Sequence, residues 1–146
     1  STRKLEMLET STMSQKRLPT NKERNMLGLA VKQALTSNFP TYKHGAVMTK
    51  GSSIISLGVN KKQFNSFAAR FRDVPENATV HAELCCVLGV DKRTTSGANI
   101  YVARVNNAGK WMMSKPCPMC QAALNYVGIK KVIYTIDEKH IGEMRL

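Results

Sequence analysis

The chain has 146 residues, 42% of them hydrophobic, and carries 22 basic against 10 acidic side chains, a formal charge of +12. That is enough chain for one domain with a real core. No apolar run approaches the ~18–20 residues a membrane-spanning helix needs, and no apolar signal core stands at the N-terminus, so neither a membrane partner nor export is expected. The charge excess instead predicts an anionic partner: a nucleotide, a single-stranded nucleic acid or an acidic surface.

Residues 1–19 are polar and basic and lack aromatic side chains. We expect a flexible basic N-terminal arm there, with a short helix near residues 4–9, ahead of a single domain over residues 20–146. Thr20-Asn21-Lys22-Glu23 is a capping box, with Thr20 as N-cap and Glu23 three residues on. It predicts a helix to about residue 37, on which Leu27, Val31, Ala34 and Leu35 share one face. Phe39-Pro40 ends it, because the residue before proline avoids helical geometry. Runs over 46–49 and 53–59, joined around Lys50-Gly51, predict a hairpin.

Residues 60–77 form a long polar and basic connection, a length that inside a compact domain is usually functional or disordered. A second helix is expected over 79–88, stopped by Gly89. A strand over 99–105 follows, then a turn at Asn106-Asn107-Ala108-Gly109. Pro118 suits the first position of a third helix over 118–127, with Gly128 past its end, and 131–135 reads as a strand. The β-α-β order from 99 to 135 implies a parallel pair with a right-handed crossover. The class is therefore α/β, one sheet with helices packed on it.

The four cysteines are Cys85, Cys86, Cys117 and Cys120. Their spacing does not suit a secreted disulfide framework. It fits a reducing compartment, the cytoplasm, with thiolates available to a metal. Cys117 and Cys120, two residues apart at a helix start, can reach one ion, and a helix N-terminus favours thiolates. His81, opening the preceding helix, can add a neutral nitrogen. Three protein ligands leave a tetrahedral zinc one position for water, as catalytic rather than structural sites do. Zinc lowers the pKa of such a water toward neutrality. Glu83, two residues beyond His81, is placed to move its proton. A structural zinc would want a fourth ligand, for which His44, His140, Cys85 and Cys86 are the candidates. The two histidines read as ordinary, and both cysteines as core.

His81-Ala82-Glu83 followed by Pro116-Cys117-Pro118-Met119-Cys120 resembles the H-x-E…P-C-x-x-C pattern of the zinc-dependent cytidine/deoxycytidylate deaminase superfamily. The resemblance runs over about residues 21–137. It implies a three-layer fold, with a mixed sheet of about five strands and the two zinc-bearing helices on one face. It implies a hydrolase: His81, Cys117 and Cys120 hold Zn2+, Glu83 shuttles protons, water attacks the carbon bearing the ring amino group, and ammonia leaves. Substrate contacts fall on four further positions. The backbone N–H of Ala82 would meet the base. Asn60, in Leu57-Gly58-Val59-Asn60, resembles the family's G-x-N, whose Asn touches the sugar. Ser114, separated from Pro116-Cys117 by one residue, echoes the serine of polynucleotide deaminases, although Lys115 replaces the second serine of that pattern. Trp111 could stack on a base or serve a core or dimer contact. A homo-oligomer is also implied.

Histidine as first ligand resembles deoxycytidylate, tRNA adenosine and polynucleotide cytidine deaminases alike. From Arg24 to Arg72 there are eight basic residues and no acidic one. At the end of that stretch Phe64, Phe67 and Phe71 are interleaved with cations. They suit either base stacking or a helix burying one face. The leading reading is a deaminase of a cytosine nucleotide, dCMP to dUMP, in nucleotide metabolism. The alternative is a cytosine or adenine deaminase of single-stranded DNA or RNA/tRNA, which accounts better for the +12 charge and the basic arm. A non-catalytic nucleic-acid-binding module with a structural zinc would leave Glu83 unexplained.

Overall fold

The computed structural model describes residues 16–40, 42–64, 70 and 79–146, with only the backbone at 62–64, 79 and 80. The expected helix near residues 4–9 lies outside these residues, as do Phe67, Phe71 and most of the connection after Phe64.

Helix α1 (Asn21–Ala34) starts where the capping box places it. The Thr20 hydroxyl accepts the Glu23 N–H at 3.2 Å, and the Glu23 carboxylate accepts the Thr20 N–H at 2.9 Å. That carboxylate, only 8% exposed, also takes a two-pronged bond from Arg17 at 2.7 Å. Arg17 in turn pairs by backbone with Ile141. Of the expected N-terminal arm, residues 16–19 are thus fastened to the domain. The helix closes earlier than residue 37, because Thr36 and Ser37 turn back onto the carbonyls of Gln33 and Ala34.

Strand β1 (Lys43–Lys50) pairs antiparallel with β2 (Ser53–Val59) and, on its other side, with β5 (Asn99–Val105). Two short strands, β3 (Lys61–Phe64) and β4 (Thr79–Val80), pair outside the main sheet. Residues 79–80 are therefore strand, not the helix start the sequence suggests. Helix α2 (Ala82–Val87) follows, then the single turn α3 (Lys92–Thr95). After β5 come β6 (Trp111–Met112), α4 (Pro118–Tyr126), β7 (Lys131–Thr135) and β8 (Ile141–Arg145). β5 and β7 are parallel, as the β-α-β order requires, and β8 returns antiparallel on β7. The mixed sheet has six strands in the order β2-β1-β5-β7-β8, with β6 attached to β5.

Side chains alternate across a strand, and here both faces are buried. Val47, Tyr101, Ala103, Ile133 and Ile141 face Leu27 and Ala30 of α1. Ala46, Met48, Ile100, Val102 and Val132 face Ala82, Cys86 and Val87 of α2 and Leu124 of α4. Three layers result, each Val, Leu, Ile or Met side chain contributing roughly 1.5–3 kcal/mol on full burial. Two glycines permit the close approach of the layers. A side chain at Gly45 would collide with the α1 backbone at Ala30 and Ala34, and one at Gly58 would collide with the α2 backbone at Ala82 and Cys86. A third apolar cluster, Leu84 with Met119, Cys120 and Ala123, locks α2 to α4.

Candidate active site

His81 is the N-cap of α2, not a residue within it, and Cys117 is the N-cap of α4. Neither caps its helix with its side chain. Pro118 sits in the first turn of α4, where its missing N–H costs nothing. Gln121 braces the approach by donating to the Pro116 carbonyl at 2.8 Å.

The ligand atoms of His81, Cys117 and Cys120 lie within 4.8 Å of one another, with His81 Nδ1 and Cys120 Sγ at 3.3 Å. Tetrahedral zinc at ordinary bond lengths asks for separations of about 3.6–3.8 Å between such atoms. Two sulfurs and an imidazole are also zinc's preferred donors, so the donor set fits that metal. Among the described residues this is the one group of its kind. The two thiols share a proton: a hydrogen bond from Cys120 holds Cys117 down at about 3, while that pairing and burial push Cys120 up.

Glu83, in the first turn of α2, is 4% exposed. Burial pushes its carboxyl above the ordinary value, against the pull of its backbone bond and of His81. The cavity in front of it measures about 330 Å³, at the small end for ligand sites. His81, Ala82, Glu83 and Cys117 line one part of it, and Phe39, Tyr42, His44, Asn60, Ser114 and Lys115 the rest.

The other residues marked in the sequence fall as follows. Ala82 and Asn60 line the cavity. Asn60's amide donates to the Tyr42 carbonyl at 2.5 Å and accepts the His44 N–H at 3.0 Å. Ser114 also borders the cavity, but its hydroxyl is packed among Val102 and Thr135 atoms at 2.8–3.2 Å. Trp111 packs against the α1-side core and is not among the lining residues. Cys86 is fully buried and Cys85 half-buried. His140 bonds Asp137 at 2.8 Å. His44, which reads as an ordinary histidine in the sequence, is a wall of the cavity. The signal that could have found it is its place two residues before Ala46, on the strand face that leads to α2.

Residues 20–136 match the family model described as the cytidine and deoxycytidylate deaminase zinc-binding region. The chain belongs to this deaminase family. An uncharacterized deaminase of Aliivibrio fischeri, in the luxG 3′ region, is 32% identical over 99 residues, 66% of this chain and 60% of that protein. Similar solved structures include the dCMP deaminase of cyanophage S-TIM5. In apo form it covers 80% of this chain at 21% identity, with 84% of its own chain matched and a TM-score of 0.56. In complex with dCMP and dUMP it matches over 81% of this chain and 83% of its own, at 18% identity and the same TM-score. That likeness establishes the fold. No described helix is long and apolar enough to cross a membrane.

Proposed function

We propose that this deaminase hydrolyses the ring amino group of a cytosine nucleotide, with dCMP the leading substrate, using a zinc ion held by His81, Cys117 and Cys120. The observation that carries the reading is the burial of Glu83 in the same small cavity as that ligand group. A structural metal site has no use for such a carboxylate.

Bound zinc would supply Lewis acidity, bringing a water's pKa toward neutrality. Glu83 would do the rest of the proton traffic. Its raised affinity lets it accept a proton from the water as oxygen adds to the amino-bearing carbon, and pass it to the ring nitrogen. A second transfer through Glu83 reaches the amino nitrogen as the carbon–nitrogen bond breaks. The balance is water in, ammonia out, and a ring carbonyl left behind. The Ala82 N–H, in the first turn of α2, would hold the base carbonyl. Lys115 at the cavity wall suits a phosphate.

The S-TIM5 enzyme was solved with dCMP and dUMP, which makes dCMP the first substrate to try. The +12 charge favours a second reading, a deaminase of single-stranded nucleic acid. Ammonia release from a panel of nucleosides, nucleotides and oligonucleotides separates them. Turnover of dCMP supports the first. Turnover confined to single strands would overturn it in favour of the second.

A further inference from the structure

Most polar side chains around the cavity already have work. His81 and Cys117 belong to the ligand group, and Glu83 stands beside it. Ser114 is tied to Val102 and Thr135. Asn60, the residue the sequence marks for the sugar, spends its amide on Tyr42 and His44 backbone atoms. Lys115 is a cation and suits the phosphate. Two uncharged side chains that can both donate and accept remain: the Tyr42 hydroxyl, on a residue 57% exposed, and the half-buried imidazole of His44, which stands on a strand.

We propose that His44 is a specificity-determining residue that accepts a hydrogen bond from a hydroxyl of the substrate's sugar. The proposal rests on the nucleotide reading above. His44 is the second residue of β1, cross-strand from Arg104, and its backbone is pinned on both sides: its N–H by Asn60 Oδ1 at 3.0 Å and its carbonyl by the Asn60 N–H at 3.2 Å. The ring therefore has a fixed base. It is also held neutral. Burial, then the Arg104 cation, and further on His81, bring it down to about 4. The Tyr42 backbone works the other way, favouring the protonated ring, and is outweighed. A neutral imidazole keeps one acceptor nitrogen in either tautomer.

An acceptor on the cavity wall selects a donor. Phosphate oxygens and the base carbonyl are acceptors and gain nothing there. The ring amino group belongs at Glu83, where the chemistry is. A sugar hydroxyl is the nucleotide group that remains. Tyr42, 57% exposed, also lines the cavity, with the Arg104 guanidinium 4.7 Å from its ring centre. Arg104 thereby backs both Tyr42 and His44 without lining the cavity itself.

The test compares dCMP with 2′,3′-dideoxy-CMP, using the zinc-loaded chain as wild type, His44→Gln and His44→Phe. Metal content and the urea midpoint report whether each variant is folded. Wild type is expected to prefer dCMP by about tenfold in kcat/KM, chiefly through KM, the size of one neutral hydrogen bond. His44→Phe should abolish that preference, and His44→Gln, which still offers an acceptor, should keep part of it. Equal losses on both substrates in His44→Phe would reduce His44 to a structural role and overturn the proposal. So would a wild type that turns over both equally, which would leave the deaminase reading standing. A metal-loaded wild type that turns over no cytosine nucleotide would fail the nucleotide reading itself.

Discussion

Gly58→Ala probes how the sheet positions the catalytic helix. Gly58 lies on β2, directly beneath α2. An added Cβ would overlap the Ala82 carbonyl and stand 2.9 Å from the Cys86 nitrogen and 3.0 Å from the Cys86 Sγ. Ordinary contacts begin near 3.4 Å, so α2 must retreat by at least about half an ångström, and at Ala82 by on the order of 1 Å. Two of the three offending atoms are backbone, so no rotamer change relieves the clash. Overpacking of this kind costs about 1–3 kcal/mol. The retreat also carries Ala82 and Glu83 away from Cys117, which sits on α4. A displacement near 1 Å at a reacting group lowers turnover by about 10²-fold. Urea unfolding reads the first effect, and ammonia release at saturating dCMP the second. Gly28→Ala is the control: Gly28 is exposed on α1 and an added Cβ meets nothing within 4 Å. It should gain roughly 0.5–1 kcal/mol and leave turnover alone. A Gly58→Ala protein with the wild-type urea midpoint and kcat within twofold would refute the reasoning.

Glu23→Gln should cost about 1–2 kcal/mol in urea unfolding, since it weakens both the capping box and the Arg17 pair, with kcat unchanged. Because Arg17 and the Thr20 N–H hold the Glu23 carboxyl at about 2, its stabilisation is present above its ordinary 4.5 and is lost as pH falls toward 2. His44 acts at milder acidity. With its ring at about 4 instead of 6.5, the unfolded chain takes up the proton first. Stability should then fall by at most about 3 kcal/mol between pH 6.5 and 4, and the His44→Gln protein should lack that share of the slope. Cys117→Ala and Cys120→Ala should each purify with little zinc, and chelation of the wild type should abolish turnover reversibly. Retention of stoichiometric zinc by either variant would place the metal elsewhere.

The site was legible in the sequence because its chemistry is written in short, rigid spacings. Histidine, glutamate and two cysteines at helix starts need no tertiary knowledge to be recognised as a set. The capping box was legible for the same reason, since Thr20 and Glu23 touch across three residues. What the sequence hid depends on distant partners. Residues 79–80 pair with β3, a contact across the connection that local propensity does not encode. β8, with Gly142 and Glu143 in its middle, has little alternating apolar pattern and is held as a strand by β7. Asn60 and His44 exchange hydrogen bonds across the β1–β2 hairpin, so the role of each follows from the other. Trp111, for which the sequence leaves stacking, core and dimer roles open, is folded by β6 onto β5 and the α1-side core.

The central claim is that a buried carboxylate beside a three-ligand zinc set performs hydrolytic deamination, and ammonia release from dCMP by zinc-loaded wild type and Glu83→Ala tests it most directly. The account predicts that both proteins hold zinc through His81, Cys117 and Cys120, and that only the wild type releases ammonia. Ammonia released by Glu83→Ala at the wild-type rate would contradict it.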